Sequence, residues 1–161
     1  MTKEFTHIAG DRVRMVDISK KEDVVRRAVV SGEIMLTRDT IEMIRAGNVE
    51  KGNVLATATT AAVLAVKKTP ETIPMCHQIP ITGIDVDFTI GDGSITTEVE
   101  VRTVAKTGVE MEALTGASVA LLTIWDMVKS VEKDNTGNYP NTMIRNIRVV
   151  GKYKSTKTNV L

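Results

Sequence analysis

The sequence predicts an α+β domain in which helices cover one face of an antiparallel β-sheet, and three observations carry this prediction. Residues 84–104 alternate apolar and polar side chains in two runs around a Gly-Asp-Gly-Ser turn, as a half-buried hairpin does. Residues 113–128, within a predicted long helix over 107–133, are apolar nearly all round, which is typical of a helix buried on several sides. Residues 24–36 are rich in β-branched side chains and predict a strand.

In the first half of the chain, the strand over residues 24–36 has one point where it can bend, Gly32. A short helix follows over residues 37–46. Thr37 is of the type that caps helix N-termini, and Gly47 is of the type that ends helices.

In the second half, residues 53–68 are rich in Ala and Thr and predict a helix. Residues 107–110 have the form of a capping box and open the long helix. Residues 142–152 predict a final strand. The order β-α-α-β-β-α-β resembles a ferredoxin-like fold with one extra helix.

The chain of 161 residues fits one domain, because no linker, repeat or low-complexity segment divides it. We therefore predict a single domain over residues 1–161. Its loose ends are expected at residues 1–5 and 155–161.

Composition excludes several classes of protein. The net charge is +1 and aromatic residues make up 3% of the chain, so we expect no nucleic-acid partner. Apolar runs stop short of the ~20 residues of a membrane span, and we expect no membrane partner. One cysteine and two histidines are too few for a disulfide framework or a zinc site within one chain. With no N-terminal export signal, the expected location is cytoplasmic.

Three polar islands in apolar surroundings are candidate functional sites. The first lies between Pro74 and Pro80, which restrain the backbone around Cys76 and His77. Histidine titrates near neutral pH, and a cysteine next to it has a base within reach. The alternatives are a core histidine bonded to backbone and a small buried thiol.

The other two islands lie at the two ends of the long helix. Lys106, Glu110 and Glu112 lie at its start, where a carboxylate also serves as a helix cap. Asp126 and Lys129 share one face. Their apolar neighbours predict a partly buried pair, in which a shifted pKa suits proton transfer. The alternative is a solvated surface ion pair.

Helix geometry keeps these two islands apart. Glu112 and Asp126 are separated by ~21 Å along the helix axis, too far for one small substrate to reach both. Two such helices packed antiparallel would bring opposite islands together, and the small residues over 116–120 would let them approach. We therefore predict a site between two chains related by a two-fold axis.

Three basic residues are candidates for binding phosphate. Lys51 precedes a predicted helix start, where its ammonium group and free backbone N–H groups can meet an anion. Arg26 lies in the first predicted strand and Lys152 in the last. The alternative for each is a solvated surface charge.

Five blocks of sequence together resemble the signature segments of the molybdenum cofactor biosynthesis protein C (MoaC) family. In chain order they read MVDIS (15–19), KGNVLATA (51–58), IPMCH (73–77), KTGVEMEALT (106–115) and IWDMVK (124–129). The resemblance spans residues 6–154, nearly the whole chain. Residues 134–141 depart from it as an insertion before the last strand.

The resemblance implies an activity and an assembly. The activity is that of a cyclic pyranopterin monophosphate synthase, a lyase of molybdenum cofactor biosynthesis. Such an enzyme converts 3′,8-cyclo-7,8-dihydro-GTP to cyclic pyranopterin monophosphate and releases pyrophosphate. The implied assembly is a hexamer of ferredoxin-like subunits that pair as dimers and share sites at the dimer interfaces. The resemblance does not decide whether Mg²⁺ binds with the substrate triphosphate, and no other cofactor is expected.

The resemblance also implies roles for individual residues. Asp126 and Lys129 match acid–base groups and Lys51 matches an essential lysine, so these three are the predicted catalytic residues. The predicted substrate-binding residues are Met75, Cys76, His77, Met111, Glu112, Glu110, Arg26 and Lys152. No metal ligand is predicted.

Two other functions are compatible with the residues alone. A non-catalytic ferredoxin-like module could bind a nucleotide or build a scaffold, and it would bind the cyclised nucleotide without releasing pyrophosphate. A Mg²⁺-dependent nucleotide hydrolase would accept plain GTP and lose its activity in the presence of a chelator.

Overall fold

A four-stranded antiparallel sheet forms one layer of the protein, and helices pack on one of its faces. The computed structural model describes residues 8–9 and 12–156. The elements are β1 (Ile8–Ala9), β2 (Arg12–Val13), β3 (Val24–Met35), α1 (Arg38–Ala46), α2 (Val54–Lys67), α3 (Thr69–Thr72), β4 (Ile81–Ile90), β5 (Ser94–Ala105), α4 (Glu110–Glu132) and β6 (Met143–Ser155). The sheet order β4-β5-β3-β6 confirms the α+β, ferredoxin-like prediction.

Most predicted elements occur within three residues of their expected bounds. β4 begins at Ile81, three residues earlier than expected, and the short helix α3 was not predicted. The predicted loose ends lie outside the described residues except at residues 155 and 156. Ser155 is the last residue of β6 and pairs with Val25, so the predicted end was wrong there.

Local capping signals set the ends of the two shorter helices as predicted. The Thr37 side chain accepts a hydrogen bond from the Thr40 N–H, and Gly47 ends α1 with φ of 70°. The Asn53 side chain accepts a hydrogen bond from the Ala56 N–H at 3.0 Å and caps α2. These signals act within one helical turn and can therefore be predicted from the sequence.

The predicted capping box of α4 is wrong. Val109 occupies the N-cap position and makes no side-chain cap hydrogen bond. The Glu110 carboxylate pairs instead with Lys152 of β6. It lies over Gly108, where a Cβ would collide with Glu110 Oε2. A long-range ion pair therefore displaces the local cap.

The bend predicted at Gly32 takes a different form. Pairing of β3 with β5 continues without interruption through this residue. The register between β3 and β6 shifts between Ser31 and Glu33, across this residue, and again between Val29 and Val30, and Asn146 of β6 has φ of 57°. A Cβ at Gly32 would lie 2.8 Å from Leu121 Cδ1 and 3.0 Å from Ile147 Cγ1. Gly32 thus makes room for α4 and for a bulged β6.

The small residues of α4 pack inside this chain, so their expected use between two chains was wrong. Gly116, Ala117 and Ala120 are buried. A Cβ at Gly116 would lie 2.7 Å from Val66 Cγ2 of α2, which shows how closely the two helices approach. Among the described helices, α4 alone has the length and composition of a membrane span. Half of its most apolar window is buried in this domain, as in a core helix.

A buried carboxylate fixes the C-terminal end of α4. Glu132 Oε1 accepts hydrogen bonds from Thr37 N at 3.1 Å and from Thr37 Oγ1 at 2.8 Å. Its Oε2 accepts one from Thr142 Oγ1 at 2.6 Å. Burial acts to raise the pKa of Glu132, but the hydrogen bonds from threonines outweigh it and lower the pKa. One side chain therefore ties α4 to the start of α1 and to the approach to β6.

We expect Glu132→Gln to lower the free energy of unfolding by about 1–3 kcal/mol at pH 7, because hydrogen bonds to a charged acceptor are lost. A carboxylate with a lowered pKa stabilises the fold above its unfolded pKa, and that stability is lost as pH falls through the folded pKa. The difference between variant and wild type should narrow between pH 7 and pH 3 in urea denaturation. The exposed Glu42→Gln is the control, and an equal loss there would contradict the assignment.

Candidate functional site

A cleft of about 580 Å³ opens where the start of α4 meets the beginning of β3 and the loop before β4. It gathers all eight residues predicted to bind substrate, which are Arg26, Met75, Cys76, His77, Glu110, Met111, Glu112 and Lys152. These residues are far apart in the sequence, so only the fold brings them together. Lys21 and Lys106 also line the cleft.

Basic side chains on one side of the cleft are anchored by backbone carbonyls. Arg26 donates from Nε to Ala105 O at 3.0 Å and from Nη2 to Lys106 O at 3.2 Å. Lys106 Nζ donates to Ser19 O at 2.9 Å. Arg26 and Lys106 form no ion pair at hydrogen-bond distance with a carboxylate among the described residues, so their remaining N–H groups are available to a bound anion.

Lys21 was missed as a cleft residue. Its segment is held to the cleft by tertiary contacts, namely Lys106 Nζ with Ser19 O and His77 Nε2 with Val16 O. No periodicity or capping pattern encodes such contacts. The run of Lys20 and Lys21 before the first strand was the one available sequence signal.

Lys152 and Glu110, which both line the cleft, form an ion pair. Burial acts to raise the pKa of Glu110, but the contact with Lys152 and the charges of Lys152 and Arg26 outweigh it and lower the pKa. Glu110 is therefore a carboxylate at neutral pH. The pair ties the last strand to the start of α4.

Glu112 lines the cleft, and one of its carboxyl oxygens lacks a hydrogen-bond partner. The residue is 3% exposed, and its Oε2 has no hydrogen-bond partner. Burial, together with the negative charge of Glu110, raises the pKa of Glu112. A buried unpaired carboxyl oxygen destabilises a fold, and a ligand that donates a hydrogen bond to it relieves that cost. Glu112 is thus placed to accept an N–H or O–H group of a ligand.

The loop that carries Cys76 and His77 is held partly by its histidine. His77 Nε2 lies 2.7 Å from Val16 O, which can only accept, so Nε2 carries the proton. This contact agrees with the backbone-bonded alternative, yet His77 also lines the cleft. Burial and the nearby Glu112 raise the pKa of Cys76, so it is a thiol at neutral pH. That state disfavours a nucleophilic role for Cys76.

The three predicted catalytic residues form a second cluster. Lys51 Nζ lies 2.8 Å from Asp126 Oδ2 and 2.6 Å from Asp126 O. Lys129 Nζ lies 2.7 Å from Asp126 Oδ1. Hydrogen bonds from Lys129 and then Lys51 lower the pKa of Asp126 to about 2. Hydrogen bonding to Asp126 raises the pKa of Lys129, so both residues are charged at neutral pH.

The prediction that the Asp126–Lys129 pair is partly buried was wrong for the single chain. The side chains of Asp126 and Lys129 are 57% and 46% exposed. The apolar neighbours Met127 and Val128 turn toward the core, and the charged face points outward. Because Glu112 and Asp126 lie ~21 Å apart along one helix, one chain does not bring the cluster to its own cleft.

No group of three or more His, Cys, Asp or Glu side chains suited to a metal ion occurs among residues 8–9 and 12–156. The cations around the cleft are Lys21, Arg26, Lys106 and Lys152. This donor set is suited to phosphate oxygens.

Comparison with known proteins confirms the family resemblance. A model of the MoaC family matches residues 15–155. The chain is 73% identical over 152 residues to a probable cyclic pyranopterin monophosphate synthase of Methanosarcina acetivorans, covering 94% of this chain and 96% of that protein. A Methanosarcina mazei protein of the same name is 71% identical over 154 residues, or 96% and 98% of the two chains. A Thermococcus kodakarensis protein, also of that name, is 59% identical over 152 residues, or 94% and 97%. The chain belongs to the MoaC family.

Proposed function

We propose that this protein is a cyclic pyranopterin monophosphate synthase, a pyrophosphate-releasing lyase that acts on 3′,8-cyclo-7,8-dihydro-GTP. The observation that carries the proposal is its 59–73% identity, over nearly the full length of both chains, to the relatives that bear this name. The contents of the cleft and of the second cluster support it chemically.

The cleft suits a nucleotide-derived substrate. Arg26, Lys106 and Lys21 offer cations to a triphosphate whose negative charge increases as pyrophosphate leaves. Glu112 offers an unpaired oxygen to an N–H group of the purine-derived ring. His77 and Glu112 are assigned to orient the substrate. Van der Waals contacts with the ring come from the three less polar cleft residues, Met75, Cys76 and Met111.

The Lys51–Asp126–Lys129 cluster supplies charge and protons. With its raised pKa, Lys129 is an ammonium that can donate a proton or stabilise phosphate oxygens. Asp126, with a pKa of about 2, is a carboxylate that accepts hydrogen bonds and orients both lysines. Lys51 is assigned as a phosphate contact. We further propose that Mg²⁺ can bind together with the substrate triphosphate. The cations of the cleft would then share the neutralisation of the phosphate charge with it.

The separation of cleft and cluster along α4 supports a site completed by a second chain. Exposed apolar residues on the helix layer, such as Leu64 and Leu122 at 53% and 57% exposure, are available for a contact between chains. We propose dimers with the cleft of one chain facing the cluster of the other. From the family resemblance we further propose assembly into a hexamer and a cytoplasmic location.

The protein should release pyrophosphate from 3′,8-cyclo-7,8-dihydro-GTP and leave GTP unchanged, because the groups around the cleft serve rearrangement of a cyclised ring. A coupled pyrophosphate assay and mass spectrometry of the product check this, with and without EDTA. Binding without release would favour a scaffold module. Consumption of GTP that stops with EDTA would favour a nucleotide hydrolase. Either result would overturn the proposal.

Lys51→Ala and Lys129→Ala should each abolish turnover, because the cluster loses a cation and a proton donor. Their melting temperatures should change by no more than about 3 °C, since exposed ion pairs contribute little to stability. Lys67→Ala, an exposed lysine at the end of α2, is the matched control and should retain activity. Turnover retained in either cluster variant would reject the catalytic assignment.

Glu112→Gln should lower turnover at least about tenfold while leaving the protein as stable or up to about 1 kcal/mol more stable at pH 7.5, because a buried unpaired charge is removed. An acid with a raised pKa destabilises the fold above that pKa and not below its unfolded pKa. The stability gain should therefore vanish towards pH 4 in urea denaturation. The exposed Glu98→Gln serves as control. Full activity in Glu112→Gln would contradict the assignment.

A further inference from the structure

The insertion at residues 134–141 is an ordered turn built around one carboxylate. Asp134 Oδ1 accepts hydrogen bonds from Thr136 N at 2.8 Å, Thr136 Oγ1 at 2.6 Å and Asn138 N at 3.0 Å. Asp134 N donates to Asn138 O at 2.9 Å, and Gly137 takes φ of 85°. These bonds fix the direction in which the chain leaves the turn at Tyr139.

Tyr139 contacts α4 and the residue directly after it. Its ring meets Trp125 edge to face, with 5.5 Å between centroids and 68° between planes. Lys133 Nζ lies 5.9 Å from the Tyr139 ring centroid, at the outer range of a cation–π contact. Trp125 in turn packs against the buried core around Ile124 and Met127. The ring of Tyr139 is thus half-buried against Trp125, which is itself packed on the core.

The two contacts bracket Lys129. Trp125 and Lys129 are four residues apart on nearly the same face of α4, and Lys133 is the C-cap residue directly after the helix. A ring that contacts Trp125 and lies 5.9 Å from Lys133 Nζ is on the same side of α4 as Lys129. The charge interaction between Tyr139 and Lys129 agrees with this placement.

We propose that Tyr139 is a positioning residue for Lys129, whose ring limits the motion of the lysine stem and holds the ammonium group on Asp126. The methylene groups of a lysine pack readily along an aromatic surface while the charged end stays in water. Without the ring, the side chain can sample rotamers that leave Asp126. The insertion therefore serves the Lys51–Asp126–Lys129 cluster, a role that rests on the proposed function as far as turnover is concerned.

The kinetic test compares Tyr139→Leu with Tyr139→Phe. Loss of the ring should lower kcat roughly 10- to 100-fold and change KM less than about twofold, because misplacing a catalytic group affects the chemical step. Tyr139→Phe keeps the ring and should stay within about twofold of wild type. Tyr153→Leu on β6 is the matched control for the substitution. A kcat within twofold of wild type in Tyr139→Leu, or an equal fall in Tyr139→Phe, would overturn the proposal.

Asp134→Ala tests the turn in a variant that keeps the Tyr139 side chain. It removes the carboxylate that shapes the turn and should lower kcat in the same direction as Tyr139→Leu. Thermal unfolding of both variants checks that they fold. An Asp134→Ala protein that folds and keeps wild-type kcat would show that the turn does not position the ring.

A second readout does not depend on turnover. Acetylation by N-hydroxysuccinimide acetate, followed by peptide mass spectrometry, measures how freely Lys129 reacts. Tyr139→Leu should raise the rate at Lys129 at least about threefold while Lys67 stays unchanged, since an amine held in an ion pair reacts more slowly than a free one. Unchanged labelling would overturn the positioning role even if activity fell. If wild type made no product, the proposed function would fail, and labelling alone would still decide the placement of Tyr139.

Discussion

The rigidity of α4 is the constraint on which the rest of the structure depends. The helix is buried against β3, β5 and β6 on one side and against α2 on another, and Gly116 permits that close approach. Its start is tied to β6 through Glu110 and Lys152, and its end is tied to α1 through Glu132 and Thr37. Because both ends are anchored, the groups that α4 carries have fixed positions relative to the sheet. This is the preorganisation that a catalytic site needs.

Two carboxylates on this one helix have opposite electrostatic environments. Asp126 is exposed between two lysines, and its pKa falls to about 2. Glu112 is buried without a partner for Oε2, and its pKa rises. Carboxyl groups whose pKa values are pushed apart can take different roles in one reaction. Asp126 orients the two lysines to which it is hydrogen-bonded, whereas Glu112 has a free oxygen that can accept a hydrogen bond from a ligand.

Local signals account for what the sequence predicts correctly. Alternation defines β4 and β5, and the caps Thr37 and Asn53 act within one turn of their helices. The errors arise where distant residues compete with local ones. Glu110 leaves the predicted capping box for Lys152, and Asp126 is exposed although its neighbours are apolar, because those neighbours turn inward.

The same anchoring argues against completing the site by a motion within one chain. Bringing Asp126 to the cleft would require bending a 23-residue helix or sliding it by ~21 Å. Either change would expose the buried side chains around Leu121 and Ile124 and break the contacts of Glu132. Addition of a second chain demands no such loss, since the Asp126 face is already exposed. On the proposed function, a firm helix with reactive groups at both ends therefore favours pairing of two rigid subunits over closure of one flexible subunit.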